Sequence, residues 1–171
     1  MDLWTLKEVI IDDVYKLGEW RDLEKVIDIG AALGDFSISA SKISDEVFAF
    51  ESDSSLVNLI KQNLKLNNVK NVTPVHLKVD SLDKLFDKYK IGKCDFLKID
   101  CEGAEYPIFS NSSNDILDGI NRISMEAHLF KPNHNILLKK LLDRFEGRGF
   151  KVIVEKNPVH NYLLYVYAQR D

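Results

Sequence analysis

Two stretches of this sequence gather side chains capable of chemistry. The first is the run Asp28-Ile29-Gly30-Ala31-Ala32-Leu33-Gly34. Small residues at 30, 32 and 34 let a backbone turn sharply and approach a ligand closely. A helix that follows such a turn offers free N–H groups and a positive dipole end, suited to a carboxylate or phosphate. The second is Phe96-Leu97-Lys98-Ile99-Asp100-Cys101-Glu102-Gly103-Ala104-Glu105, where three carboxylates crowd behind an apolar run. Crowded carboxylates raise one another's pKa, which suits a general base or a metal site. Further on, Ser124-Met125-Glu126-Ala127-His128 sets Glu126 and His128 on one side of a strand by its period of two.

The spacing in the first turn discriminates between ligands. A dinucleotide fingerprint needs glycine at 30, 32 and 35, but the chain has Gly30, Ala32 and Asp35. Asp35 would also meet a pyrophosphate with like charge. The run fits D-x-G-x-[GA]-x-G instead, the turn that holds S-adenosylmethionine, and assigns it Asp28, Gly30, Ala31, Ala32 and Gly34. Glu51, followed by Ser52, ends the next apolar run, where a carboxylate can accept both hydroxyls of a ribose. Asp80, with Ser81 behind it, is set to accept from an adenine amino group or to cap the helix that follows.

These residues need elements to position them. Leu3, Leu6, Ile10, Val14 and Leu17 recur at spacings of three and four, predicting an amphipathic helix over 3–17. Short apolar runs at 25–30, 47–51, 72–79, 94–100 and 120–127 read as strands. Helical stretches at 34–43, 53–66, 82–89, 105–117 and 134–147 alternate with them. Ile136, Leu137, Leu141, Leu142 and Phe145 form the expected inner face of the last helix. The final runs, 150–155 and 162–168, are joined by six residues, too few for a crossover helix, so they form an antiparallel hairpin. The expected fold is α/β, a doubly wound, seven-stranded Rossmann-like sheet with an antiparallel last strand. Ligands of such sheets sit beyond the C-terminal strand ends.

Composition narrows the classes. At 171 residues, 45% hydrophobic and 29% charged, the chain reads as one ordinary globular domain. It has neither an apolar run long enough to span a membrane nor a signal-peptide pattern at its start. Its net charge of −4 disfavours a general nucleic-acid binder. From Lys61 to Lys98, however, nine lysines face four aspartates, a solvated face or a landing surface for an anion. Cys94 and Cys101 fit a reducing cytoplasm. Residues 1–24 are set apart as an accessory helical element, a lid or a homodimer contact, leaving 25–171 as the functional domain.

The runs Asp28-Ile29-Gly30-Ala31, Ala49-Phe50-Glu51, Asn63-Leu64-Lys65-Leu66-Asn67, Lys98-Ile99-Asp100-Cys101-Glu102-Gly103-Ala104-Glu105 and Met125-Glu126-Ala127-His128 resemble the FkbM family of methyltransferases over roughly residues 25–130. The resemblance implies a class I methyltransferase fold, S-adenosylmethionine as cofactor, and O-methylation of a sugar or small natural product. It carries the cofactor role onto Asp28, Gly30, Gly34 and Glu51, and points to Asp100 and Glu102 at the reaction end. The chain departs from the family at Ala32, where asparagine is usual, and at Ser52, where proline is usual.

An alcohol acceptor loses a proton on methylation, so a base helps. Asp100 or His128 is the expected base, with Glu102 and Glu126 orienting it. The same oxygens and imidazole could hold a divalent metal, a reading the sequence does not favour. Two alternatives stand beside the enzyme: a non-catalytic or merely S-adenosylmethionine-binding module, and a methyltransferase acting on nucleic acid.

Overall fold

A computed structural model describes residues 7–170. Two compact units divide the chain, Met1–Lys78 and Val79–Asp171.

In the first unit, β1 (Leu23–Ile29), β2 (Ser44–Glu51) and β3 (Val72–His76) are parallel neighbours, with Ile29 beside Phe50 and Glu51 beside His76. Strands covered on both faces carry near-continuous apolar runs, and Val26, Ile27, Val47, Ala49 and Phe50 are fully buried. Between them lie α1 (Asp35–Ala40) and α2 (Ser54–Leu66). Asp53 starts α2 by accepting from the Ser55 amide at 2.7 Å, and Val57, Ile60 and Leu64 form its buried stripe.

The amphipathic helix expected over 3–17 is cut short. One π-type turn, Lys7–Ile11, precedes a bend and a 3₁₀ turn at Leu17–Glu19, and residues 1–6 lie outside the described region. The Asp13 carboxylate stops the helix by accepting from the amides of Leu17 and Gly18, each at 2.8 Å. An aspartate that bonds its own backbone competes with helix propagation. Tyr15 and Leu17 are buried nonetheless, with Tyr15 edge-on to Phe36 at 5.4 Å.

The second unit holds α3 (Leu82–Tyr89), β4 (Phe96–Ile99), α4 (Glu105–Ser110), β5 (Arg122–His128), α5 (His134–Gly147), β6 (Lys151–Lys156) and β7 (Leu163–Gln169). β4 and β5 are parallel, whereas β7 is antiparallel to both β5 and β6, so the hairpin forms as expected. The seven strands follow the order β3-β2-β1-β4-β5-β7-β6, the mixed sheet expected of the sequence. Two details differ. The helix expected over 105–117 ends at Ser110 and resumes as a 3₁₀ turn at Asp115–Gly119, because Asn111-Ser112-Ser113-Asn114 favours turns. In α5 the buried face is His134, Leu138, Leu141 and Phe145, while Ile136 is 61% exposed. Among the described residues, no helix is long and apolar enough to cross a membrane.

Candidate functional site

The glycine turn of the first unit is built around Glu51. Its Oε2 accepts from the Ala32 amide at 2.9 Å, and its Oε1 accepts from the Asp53 amide at 2.9 Å and the Ser52 hydroxyl at 3.2 Å. The carboxylate is nearly buried. It therefore fixes the turn after β1 to the turn after β2. A carboxylate has about four acceptor positions, so one remains beside the Ala32 amide, and rotation of the Ser52 hydroxyl opens a second.

Backbone conformation explains the residue types. Gly30 and Gly34 have φ of 79° and 83°, and Ala32 lies between them at 47°. Left-handed φ strains any residue bearing a Cβ, and asparagine tolerates it better than alanine. The family's preference for asparagine at this position thus matches a backbone that Ala32 adopts under strain. At Gly34 a Cβ would also come within 3.1 Å of Ile60 Cγ2. Asp28 is fully buried in β1, where its Oδ2 accepts from the Ser37 hydroxyl at 2.6 Å. Ala31 is buried, and its amide donates to the Phe50 carbonyl. Asp28 thus anchors α1 to β1.

Asp80 and Ser81 open the second unit. The Asp80 carboxylate is exposed and pairs with Lys84 at 2.7 Å, a hydrogen bond that lowers its pKa. Ser81 is buried at the N-cap of α3 without a side-chain cap bond. The Leu82 amide is satisfied by Ser112 Oγ at 2.8 Å, so the helix start is capped from the turn after α4.

The second chemical cluster surrounds His128. β5 ends at this buried imidazole, and its Nδ1–H donates to Glu105 Oε1 at 2.9 Å. The same Glu105 oxygen accepts from the amides of Cys101 and Gly103, at 3.0 and 3.2 Å. The bonds fold the turn after β4 around the carboxylate, with Glu102 and Gly103 at φ of 52° and 95°. His128 Nε2 then faces two acids, 3.5 Å from Glu102 Oε2 and 3.9 Å from Asp100 Oδ1. Buried Lys98 stands 4.0 Å from the other Asp100 oxygen. The backbone carrying His128 is held as well: its carbonyl accepts from His134 Nδ1–H at 2.7 Å and the Tyr106 hydroxyl at 3.1 Å.

Burial alone would lower the pKa of His128. The Glu105 hydrogen bond and charge, followed by the charges of Asp100 and Glu102, outweigh it and raise the pKa above the ordinary histidine value. Burial and the Glu105 charge also raise Tyr106. Cys101 is raised as well, chiefly by burial, so its thiol is a poor nucleophile.

The structure therefore brings Asp100, Glu102 and His128 together, and adds Glu105 as the group that orients the imidazole. The sequence assigns an orienting role to Glu102 and Glu126, and Glu102 Oε2 stands 3.5 Å from His128 Nε2. The signal for Glu105 was its place among three clustered acids, where it reads equally well as a helix cap. Asp100, Glu105 and His128 present ligand atoms within 4.8 Å of one another. Glu105 Oε1 already accepts three hydrogen bonds, while its Oε2 is buried with no hydrogen-bond partner among the described residues. A surface recess of about 800 Å3 lined by Asp83, Lys84, Phe86, Lys90, Ile91 and Ile116 contains none of these groups.

Comparison with known proteins bears on this geometry. The model of the Methyltransferase FkbM domain matches residues 19–152. Ribosomal RNA small subunit methyltransferase A of Wigglesworthia glossinidia brevipalpis is 33% identical over 76 residues, which make up 44% of this chain and 28% of that relative. This chain therefore matches less than a third of that relative's length. Among solved structures, a candidate methyltransferase of Streptococcus mutans in complex with SAH superposes with a TM-score of 0.74 at 14% identity, covering 95% of this chain and 97% of the other. An rRNA methylase from Streptococcus thermophilus gives 0.71 at 14% identity, covering 95% of each. A precorrin-6y C5,15-methyltransferase of Geobacter metallireducens gives 0.66 at 20%, covering 94% and 87%. With its motifs, strand order and matched span in agreement, the chain belongs to the FkbM methyltransferase domain family and carries the fold of S-adenosylmethionine-dependent methyltransferases.

Proposed function

We propose that this protein uses S-adenosylmethionine to methylate a hydroxyl of a sugar or small natural product. The observation that carries the reading is His128, whose Nδ1–H is committed to Glu105 and whose Nε2 is directed at Asp100 and Glu102. An imidazole held in this tautomer keeps its Nε2 lone pair for a substrate proton.

The first unit fits the cofactor: small residues line the turn, and Glu51 retains acceptor capacity for ribose hydroxyls. Glu51 and Ser52 are the residues that would hold it, with Gly30, Ala32 and Gly34 shaping the backbone. When bound, S-adenosylmethionine supplies a methyl carbon that is already electrophilic. The protein's remaining tasks are alignment and removal of the hydroxyl proton. His128 accepts that proton at Nε2. Glu105 stabilises the imidazolium that results, while Asp100 and Glu102 orient the hydroxyl by accepting from it or its neighbours.

The test is methyl transfer from isotopically labelled S-adenosylmethionine to a panel of hydroxylated sugars and phenols, with the product's methyl group placed by NMR. An O–CH3 product is expected. Methyl transfer confined to nitrogen or carbon atoms would overturn the reading.

RNA methylation is the second reading, favoured by the partial identity to a ribosomal RNA methyltransferase. It requires salt-dependent RNA binding, since phosphate contacts release counterions.

A further inference from the structure

We propose that Phe130, Tyr162 and His160 form the platform that receives the acceptor, and that the platform takes an uncharged, hydroxyl-bearing ring. The inference rests on the methyl-transfer reading above and assigns its acceptor side to particular residues.

Four rings form a continuous series beginning at the candidate base. His128 and Phe130 have centroids 5.0 Å apart, Phe130 and Tyr162 5.6 Å, and Tyr162 and His160 5.2 Å. The series runs from buried to exposed: His128 is 2% exposed, while Phe130 and Tyr162 are 49% and 40% exposed. Single exposed apolar residues need no explanation, but a contiguous set beside a reactive group marks a binding surface.

The backbone that carries the platform is held by hydrogen bonds before any ligand arrives. The β5–β7 ladder extends past His128, because the Leu129 amide donates to the Tyr162 carbonyl at 2.8 Å. Buried Asn157 organises the hairpin loop: its Oδ1 accepts from the amides of Val159 and His160, both at 2.8 Å, and its Nδ2 donates to the Tyr165 hydroxyl at 2.7 Å. Groups fixed in advance lose little entropy on binding.

Charge selects the ligand. The turn carrying Glu102 lies against the first exposed ring, since a Cβ built on Gly103 would stand 3.6 Å from Phe130 Cδ2. Glu102 is 80% exposed there, and Asp100 is partly exposed. Carboxylates accept hydroxyl protons and repel phosphate. Aromatic faces pack against the apolar face of a ring. Together they suit a neutral ring bearing hydroxyls.

Two probes sharing one arene test this on the intact protein: p-nitrophenyl β-D-glucopyranoside and p-nitrophenyl phosphate, titrated by saturation-transfer NMR and calorimetry. The glucoside should bind the wild type at least about tenfold more tightly than the phosphate. Phe130→Ala with Tyr162→Ala should weaken it about tenfold, and Tyr162→Phe should leave it unchanged. S-adenosylmethionine affinity, measured on the same samples, should match the wild type, and thermal melting should remain a single cooperative transition. A glucoside that fails to bind, binds no better than the phosphate, or ignores the double substitution overturns the platform. Platform-dependent glucoside binding without methyl transfer to any hydroxyl would sustain the platform and overturn the transfer reading.

Discussion

Replacing Glu105 with glutamine separates charge from orientation at His128. Glu105 Oε1 accepts three hydrogen bonds, from the amides of Cys101 and Gly103 and from His128 Nδ1–H. In Glu105→Gln the carbonyl oxygen must keep that place, because a flipped amide would set its NH2 against three donors. The NH2 then stands where Oε2 is buried with no hydrogen-bond partner among the described residues. Turning the three charge-assisted hydrogen bonds of Oε1 into neutral ones costs about 1–3 kcal/mol, and a chain of this size loses about 2–4 °C of Tm per kcal/mol. The imidazole keeps its tautomer, position and hydrogen bond but loses the Glu105 charge that helps to raise its pKa.

The sign of the pH effect follows. His128 can accept a proton only when neutral, so kcat/KM rises with pH through its raised pKa. Glu105→Gln lowers that pKa and moves the acid limb to lower pH. On the acid side the variant should outpace the wild type by about tenfold for each unit that the limb moves. Stability should respond in step: a raised histidine pKa stabilises the fold below the unfolded value, about 6.5, and that contribution is lost as pH rises through the folded value. The variant should show less of this dependence. Initial rates against pH, with NMR titration of the imidazole, measure both. An acid limb that stays in place or moves to higher pH would refute the assignment of Glu105.

Other perturbations probe the remaining elements. Glu51→Ala removes the acceptor of the Ala32 and Asp53 amides, and calorimetry should show S-adenosylmethionine affinity falling by about tenfold or more. Gly34→Ala places a Cβ at φ 83° and 3.1 Å from Ile60 Cγ2, which should cost about 1–2 kcal/mol or more in denaturant unfolding. Ala32→Gly relieves strain at φ 47°, and should add about 0.5–1 kcal/mol by the same measurement. Tyr15→Ala empties a buried site against Phe36; a loss of about 3 kcal/mol would show that the segment before β1 belongs to the folded core.

Much of this architecture could be read from residue order. β4, only Phe96–Ile99, is buried at all four positions, and its apolar run ahead of Asp100 announced both the strand and the acids beyond it. The antiparallel hairpin followed from a connection too short to hold a helix. Side-chain competition with the backbone was harder to see: the 3–17 periodicity continues through Asp13, whose carboxylate captures the amides that a helix would need. The role of Glu105 was hidden because a helix cap and an imidazole partner look alike in sequence, and its partner lies 23 residues away. The ring series was hidden too, since Phe130 and Tyr162 meet only through the β5–β7 register that sets His128 opposite Leu163. The strain at Ala32 is a matter of backbone φ, which residue type alone does not reveal.

The proposed role of His128 as the base of a methyl transfer to oxygen is tested most directly by turnover of an identified hydroxyl acceptor by His128→Ala, with S-adenosylmethionine affinity measured on the same protein. A fall in kcat of about 10²–10⁴ at neutral pH with unchanged cofactor affinity is expected. A variant that turns over as fast as the wild type, or one whose loss of activity is wholly a loss of cofactor binding, would contradict it.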